Sequence, residues 1–241
     1  MFPGAPEPWI DLSTGINPIP YPVGNVPRDA WTRLPEPGAV AVLEAAARRT
    51  YGVPAGAEIV AAPGTQSIIQ WLPRIVPARR VGILGPTYAE HALSWREAGR
   101  GVVEAETLDE LEGCDAVVVV NPNNPDGRIV TQEQLVGMAR SLAARDGLLV
   151  VDEAFMDVIC PGASLIPALP ESTIVLRSFG KTYGLGGLRL GFAVAPPSPG
   201  TALRAALGRW AISGPAIDIG RRALDDPAWL AEAIQRLTAS A

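Results

Sequence analysis

The sequence predicts an α/β fold built on a doubly wound, mostly parallel sheet. From residue 40 onward, short apolar runs alternate with segments of helical apolar spacing. Two of those runs, 115–120 and 148–151, read as strands covered on both faces, and a helical segment at 132–144 lies between them. A third observation is the small and polar residues that follow each strand-like run, where sheets of this class place their ligands.

In chain order, residues 1–36 are rich in proline and predict an extended arm, in which Asp-Leu-Ser-Thr-Gly-Ile-Asn-Pro at 11–18 is the one distinctive stretch. Residues 37–200 form the expected main domain. Its alanine-rich opening predicts a helix over 40–51, followed by a strand at 58–62, a helix at 64–76, a strand at 80–84 and a helix at 88–98. Strands at 115–120 and 148–151 flank the helix at 132–144, and further strands are expected at 173–177 and 188–195. Residues 201–241 read as a helical segment, and no internal repeat is present.

Composition narrows the function classes. With 48% apolar residues the chain is globular, and its 24 prolines and 25 glycines punctuate periodic segments as connections do. A net charge of -5 offers no basic field for nucleic acid. No apolar run is long enough to cross a bilayer, and the opening Met-Phe-Pro-Gly-Ala-Pro-Glu lacks the pattern of a signal peptide, so a cytoplasmic, non-membrane protein is expected. Cys114 and Cys160 have no ligand spacing and read as reduced thiols, while the single His91 excludes a multi-histidine metal site, so no metal is expected.

The strand ends carry the chemistry. Pro-Gly-Thr-Gln-Ser at 63–67 opens a helix whose free N–H groups would face an anion, so Gly64, Thr65 and Gln66 are either a phosphate cradle or an ordinary helix cap. Tyr88, after the next strand, either stacks on a flat heteroaromatic ring or packs at a helix start. The run Asn-Pro-Asn-Asn-Pro-Asp-Gly at 121–127 places Asn124 as a donor to a phenolic oxygen, with plain turn chemistry as the alternative. Asp152, at the end of a buried strand, would keep a pyridine nitrogen protonated or else cap a helix. Ser178-Phe-Gly-Lys181, with Arg189 eight positions on, holds an amine nucleophile beside two groups able to grip a phosphate. Pyridoxal 5'-phosphate combines an aldehyde for that amine with a phosphate for those partners, and serves as an electron sink at an amino-acid alpha carbon.

This ordered set resembles the fold-type I pyridoxal-phosphate enzymes of the aspartate aminotransferase group, from about Asp11 to the end of the chain. The resemblance implies that residues 37–200 are the cofactor-binding large domain and that Lys181 carries the cofactor as a Schiff base. It further implies that Asp152 meets the pyridine nitrogen, Asn124 the ring hydroxyl and Tyr88 the ring face, with Thr65, Ser178 and Arg189 on the phosphate and Gly64 and Gln66 beside them. Within the group, the segments at 9–18, 34–37 and 210–216 most resemble the threonine-phosphate decarboxylases of cobalamin biosynthesis, with histidinol-phosphate aminotransferases as close relatives.

Three departures from the group's pattern stand out. Phe155 replaces a tyrosine that in many members touches the ring hydroxyl. Leu34 stands where histidinol-phosphate aminotransferases usually carry a tyrosine reaching the partner subunit. The chain stops in the helical run 227–237 that leads toward the group's small domain, so that domain is expected to be missing or truncated.

The resemblance implies a carboxy-lyase that converts threonine O-phosphate into aminopropanol phosphate and carbon dioxide. The alternatives are an aminotransferase of the histidinol-phosphate type and an inactive cofactor-binding remnant. A small phosphorylated amino acid as substrate and a homodimer are implied with it. Gly15 and Asn17 are the candidate substrate contacts, and a plain turn at Asn17–Pro18 is the competing explanation.

Overall fold

The computed structural model describes residue 4, residues 14–158 and residues 163–240. Residues 11–13 of the distinctive arm segment and Cys160 lie outside the described residues. The elements, in order, are α1 (Arg28–Thr32), α2 (Pro37–Tyr51), β1 (Glu58–Ala62), α3 (Thr65–Ile75), β2 (Arg80–Leu84), α4 (Ala89–Glu97), β3 (Gly101–Ala105) and β4 (Ala116–Val120). They continue with α5 (Gln132–Ala143), β5 (Leu148–Asp152), β6 (Thr173–Ser178), α6 (Phe179–Thr182), β7 (Gly191–Ala195), α7 (Pro197–Leu207), α8 (Gly214–Leu224) and α9 (Pro227–Ser240), with short 3-10 turns between.

Among the described residues the seven strands form one sheet in the order β1-β7-β6-β5-β4-β2-β3. Only β7 runs against its neighbours, β1 and β6, and the other pairs are parallel. The chain leaves β2 for the edge strand β3 and returns to β4 on β2's other side, then steps outward through β5 and β6. This reversal puts the topological switch point between β2 and β4, and their carboxyl ends deliver Tyr88 and Asn124.

The sheet is buried on both faces because alternate residues of its central strands feed two separate cores. Val117, Val119, Leu149 and Val151 pack with Leu43 of α2, Leu135 and Leu142 of α5 and Ile219 of α8. Ala116, Val118 and Val150 face Ile68 and Leu72 of α3, Trp95 of α4 and Leu203 of α7. Several helix starts have local causes. Thr131 forms a capping box with Gln134 before α5, Ser213 caps α8 through the Ala216 N–H, and prolines open α2 and α7.

The structure corrects three details of the sequence reading. The expected extended arm contains the short helix α1, whose residues are not buried, and the edge strand β3 was not anticipated. The strand expected over 188–195 begins only at Gly191, because Gly186–Leu188 forms a 3-10 turn and Arg189 takes a left-handed conformation with φ 54°.

Candidate active site

A cavity of about 240 Å³ opens at the carboxyl ends of the strands, and its wall contains Gly64, Thr65, Gln66, Tyr88, Asn124, Asp152, Ser178, Lys181 and Arg189. Nine positions spread over 126 residues of sequence are thus brought to one place by the switch point and the carboxyl ends of β5, β6 and β1. Ile16, Phe155 and Leu190 supply apolar wall.

One corner of the cavity suits an anion. Gly64 precedes α3 with φ 77°, and no side chain caps the N–H groups of that helix. A Cβ at Gly64 would fall 2.6 Å from Nη2 of Arg189, and one at Gly191 would fall 2.6 Å from the Thr65 nitrogen. Glycine at both positions therefore lets the guanidinium and the helix start approach each other. Arg189 is anchored by its Nη1 donating to the Gly186 carbonyl at 2.9 Å. The helix start and the cation together favour a phosphate.

At the centre, Asp152 is buried and held from two sides. Its Oδ1 accepts the Ala154 N–H at 3.0 Å, and its Oδ2 lies 3.0 Å from Nε2 of the buried His91. His91 is a partner that the sequence reading missed. The available signal was its place three residues after Tyr88, on the same side of α4, and the two rings meet edge to face at 6.2 Å. Tyr88 donates its hydroxyl to Oε1 of Gln66 at 3.2 Å, and Gln66 in turn donates to Glu90. Burial, followed by the Glu90 and Asp152 carboxylates, pushes the Tyr88 phenol up, against the Arg189 charge.

Of the three asparagines after β4, two serve the loop. Asn121 donates to the Val130 carbonyl and accepts the Val130 N–H, while Asn123 bonds Thr87, the Pro86 carbonyl and Asp126. Asn124, half-buried in the cavity wall, makes no side-chain hydrogen bond among the described residues. Ser178 is placed in the same way.

Lys181 follows β6 on the one-turn helix α6, and its Nζ stands 5.1 Å from the centre of the Phe155 ring. Burial lowers its proton affinity, while the Asp152 charge works in the opposite direction. It is also the sole lysine in the sequence, since every other residue among the 20 Lys and Arg is arginine. That count was a direct sequence signal for a dedicated amine and was not used.

Gly15 and Asn17, expected to touch substrate, are not in the cavity wall. Gly15 abuts the Phe155 ring, where a Cβ would come within 2.8 Å, and the buried Asn17 bonds the backbone behind Lys181. The wall thus offers an amine, an anion corner, a buried carboxylate, an unpartnered amide and an aromatic face. This donor set fits a flat, anionic, heteroaromatic aldehyde.

The model of the family Aminotransferase class I and II matches residues 29–241. The chain belongs to this family. Two of its relatives are the threonine-phosphate decarboxylases of Pseudomonas aeruginosa and of a Sinorhizobium species, each 45% identical to it. The first match covers 90% of this chain and 65% of that protein, and the second covers 91% and 67%. The chain thus spans about two thirds of these relatives' length. The fold is shared with the crystal structure of histidinol-phosphate aminotransferase from Sinorhizobium meliloti in complex with pyridoxal-5'-phosphate. That match has a TM-score of 0.75 at 24% identity and covers 88% of this chain and 61% of the other.

Proposed function

We propose that this protein is a pyridoxal-phosphate-dependent threonine-phosphate decarboxylase, which releases carbon dioxide from threonine O-phosphate and leaves aminopropanol phosphate. The observation that carries the reading is the sole lysine, Lys181, standing in a cavity with Asp152, Asn124 and the anion corner. The two 45% identical decarboxylases, matched over nine tenths of this chain, support the choice of reaction.

When bound, pyridoxal phosphate supplies a sink for the electron pair left on the substrate as its carboxylate departs. The chain's own residues hold and orient the reacting groups. Lys181 would hold the cofactor through its amine and, when free of it, would take up a proton and pass it to the substrate's alpha carbon. Asp152, fixed by His91 and the Ala154 N–H, would take the ring nitrogen. Asn124 would donate to the ring hydroxyl and Tyr88 would cover the ring, while Thr65, Ser178, Arg189 and the start of α3 would take the phosphate, with Gly64 and Gln66 beside them, all of them in one cavity wall. Phe155 leaves the ring hydroxyl without a phenolic donor on that side. A homodimer in the cytoplasm belongs to the same reading.

A second reading, amino transfer, is favoured by a 31% match to a Legionella pneumophila histidinol-phosphate aminotransferase over 56% of this chain. The test is a visible spectrum of the protein with added pyridoxal phosphate, using Lys181→Ala as the blank, followed by threonine phosphate. A band absent from the blank, with carbon dioxide released, is the expected result. A band without carbon dioxide, but with amino transfer to an oxo acid, selects the second reading. Identical spectra for the two proteins would end both readings, because no second lysine exists to mimic the signal.

A further inference from the structure

The stretch just before the first helix is bound to the turn that carries the lysine. The Asn17 N–H donates to the Lys181 carbonyl at 3.0 Å, its side-chain Nδ2 donates to the Thr182 carbonyl at 2.9 Å, and the Tyr21 N–H donates to the Tyr183 carbonyl at 2.9 Å. Three successive carbonyls at the end of α6 are therefore taken by residues 17 and 21. A helix of four residues cannot satisfy its own terminal carbonyls, so an outside donor is needed there.

Asn17 is itself fixed. Its Oδ1 accepts the Ile19 N–H at 3.0 Å, an Asx-turn that leaves the amide nitrogen aimed at Thr182, and the residue is buried. On the other side, Gly184 has φ 67°, and a Cβ there would come within 2.7 Å of the Asn17 carbonyl oxygen and of Pro20 Cα. The neighbouring Ile16 enters the cavity wall, and its Cδ1 would lie 2.8 Å from a Cβ at Gly186. Residues 15–21 and 181–186 are thus fitted to each other at backbone distance.

We propose that Asn17 is a positioning residue: its side-chain amide, clamped between Ile19 and Thr182, fixes the turn that aims the Lys181 amine into the cavity. Where this concerns the cofactor, it rests on the pyridoxal-phosphate reading. The geometric claim concerns Lys181 alone and has its own readout. Asn17→Leu keeps the volume without charge but can neither accept from Ile19 nor donate to Thr182, and Asn17→Ala removes both bonds and the volume.

The experiment measures the pH profile of Lys181 acetylation by acetic anhydride in the cofactor-free protein, read by mass spectrometry on the peptide that contains this sole lysine. Burial holds the parent's midpoint below the ordinary lysine value. Release of the turn admits water, so both variants are expected to raise the midpoint toward the ordinary lysine value. Arg204→Ala is the control for lost stability alone. It removes the pairing with Glu44 and the bond to the Ile59 carbonyl, at the opposite end of β1 from Gly64, and should leave the midpoint in place.

Unchanged midpoints in both Asn17 variants, with melting temperatures lowered as in Arg204→Ala, would overturn the proposal and leave Asn17 as a fastener of the arm. Should Asn17→Ala fail to fold, the near-isosteric, uncharged Asn17→Leu carries the same comparison. A parent protein that shows no visible band with pyridoxal phosphate, beside variants whose midpoints rise, would remove the cofactor reading and keep the positioning role. The expected pattern is a Lys181-dependent band in the parent that is at least several-fold weaker in Asn17→Leu at equal cofactor concentration.

Discussion

Asp152 and Glu153 are adjacent, buried carboxylates, yet they belong to two differently built regions. Asp152 faces the cavity, where Asn124, Ser178 and the Lys181 amine have no hydrogen-bond partner among the described residues. Glu153 points behind the wall into a bonded layer: it accepts from Ser164 at 2.6 Å, from the Leu165 N–H at 2.8 Å and from Arg177 at 3.0 Å. Arg177 also pairs with Asp157 and lies over the Tyr51 ring at 4.6 Å. The cavity groups keep their bonding capacity for a ligand, while the layer behind them uses its own to hold the wall rigid. Substitutions on the two sides should therefore fail differently.

The largest contrast is between Arg177→Met and Asp152→Asn. Removing Arg177 strands Glu153 and Asp157 together in the interior, and breaking such a buried pair costs about 3–5 kcal/mol. Denaturant unfolding should show that loss directly. Asp152→Asn keeps volume and the Ala154 contact, so unfolding should change far less, while pyridoxal phosphate binding, followed by its visible band, should weaken by about 10- to 100-fold, the worth of one charge-assisted bond. The reverse pattern would break the division between the two layers.

A finer test lies within one loop. Asn123→Ala strips partners from Thr87, the Pro86 carbonyl and Asp126 and should cost about 1–3 kcal/mol of stability. Asn124→Ala removes no side-chain hydrogen bond among the described residues and should stay within about 0.5 kcal/mol of the parent, with its effect appearing in the cofactor's spectrum. Equal destabilisation by both would show that Asn124 is also part of the scaffold.

How much of this was legible in the sequence depended on whether the cause was local. Strands β1, β2, β4, β5 and β6 were readable because burial on both faces leaves short apolar runs bounded by turn residues. Strand β3 was not, since none of its residues is buried and exposed Glu104 interrupts any apolar run. Most cavity residues were legible because they end or follow a strand, where the fold rule looks for ligands, and Arg189 because it stands eight positions after Lys181. The residues behind them were not: His91 lies 61 positions from Asp152, and Asn17 lies 165 from Thr182. Composition tells nothing about such pairings, which depend on how the helices and the arm settle on the sheet.

The smallest effect tests the cavity side alone, and it is opposite in sign to a normal deletion. Because burial lowers the Lys181 proton affinity, the folded protein holds this proton less tightly than the unfolded chain. Between the folded value and the ordinary 10.5, the unfolded state binds more protons, so stability rises with pH across that window. Below the window the charged amine is a net cost to the cofactor-free fold. Lys181→Met should therefore raise the melting temperature of the cofactor-free protein slightly at pH 7, and the advantage should shrink as the pH approaches 10.5. No comparable gain is expected from Arg177→Met, whose charge is answered by Glu153 and Asp157. A lysine variant that melts lower than the parent at every pH would mean that Lys181 supports the wall and is not held in reserve for a ligand.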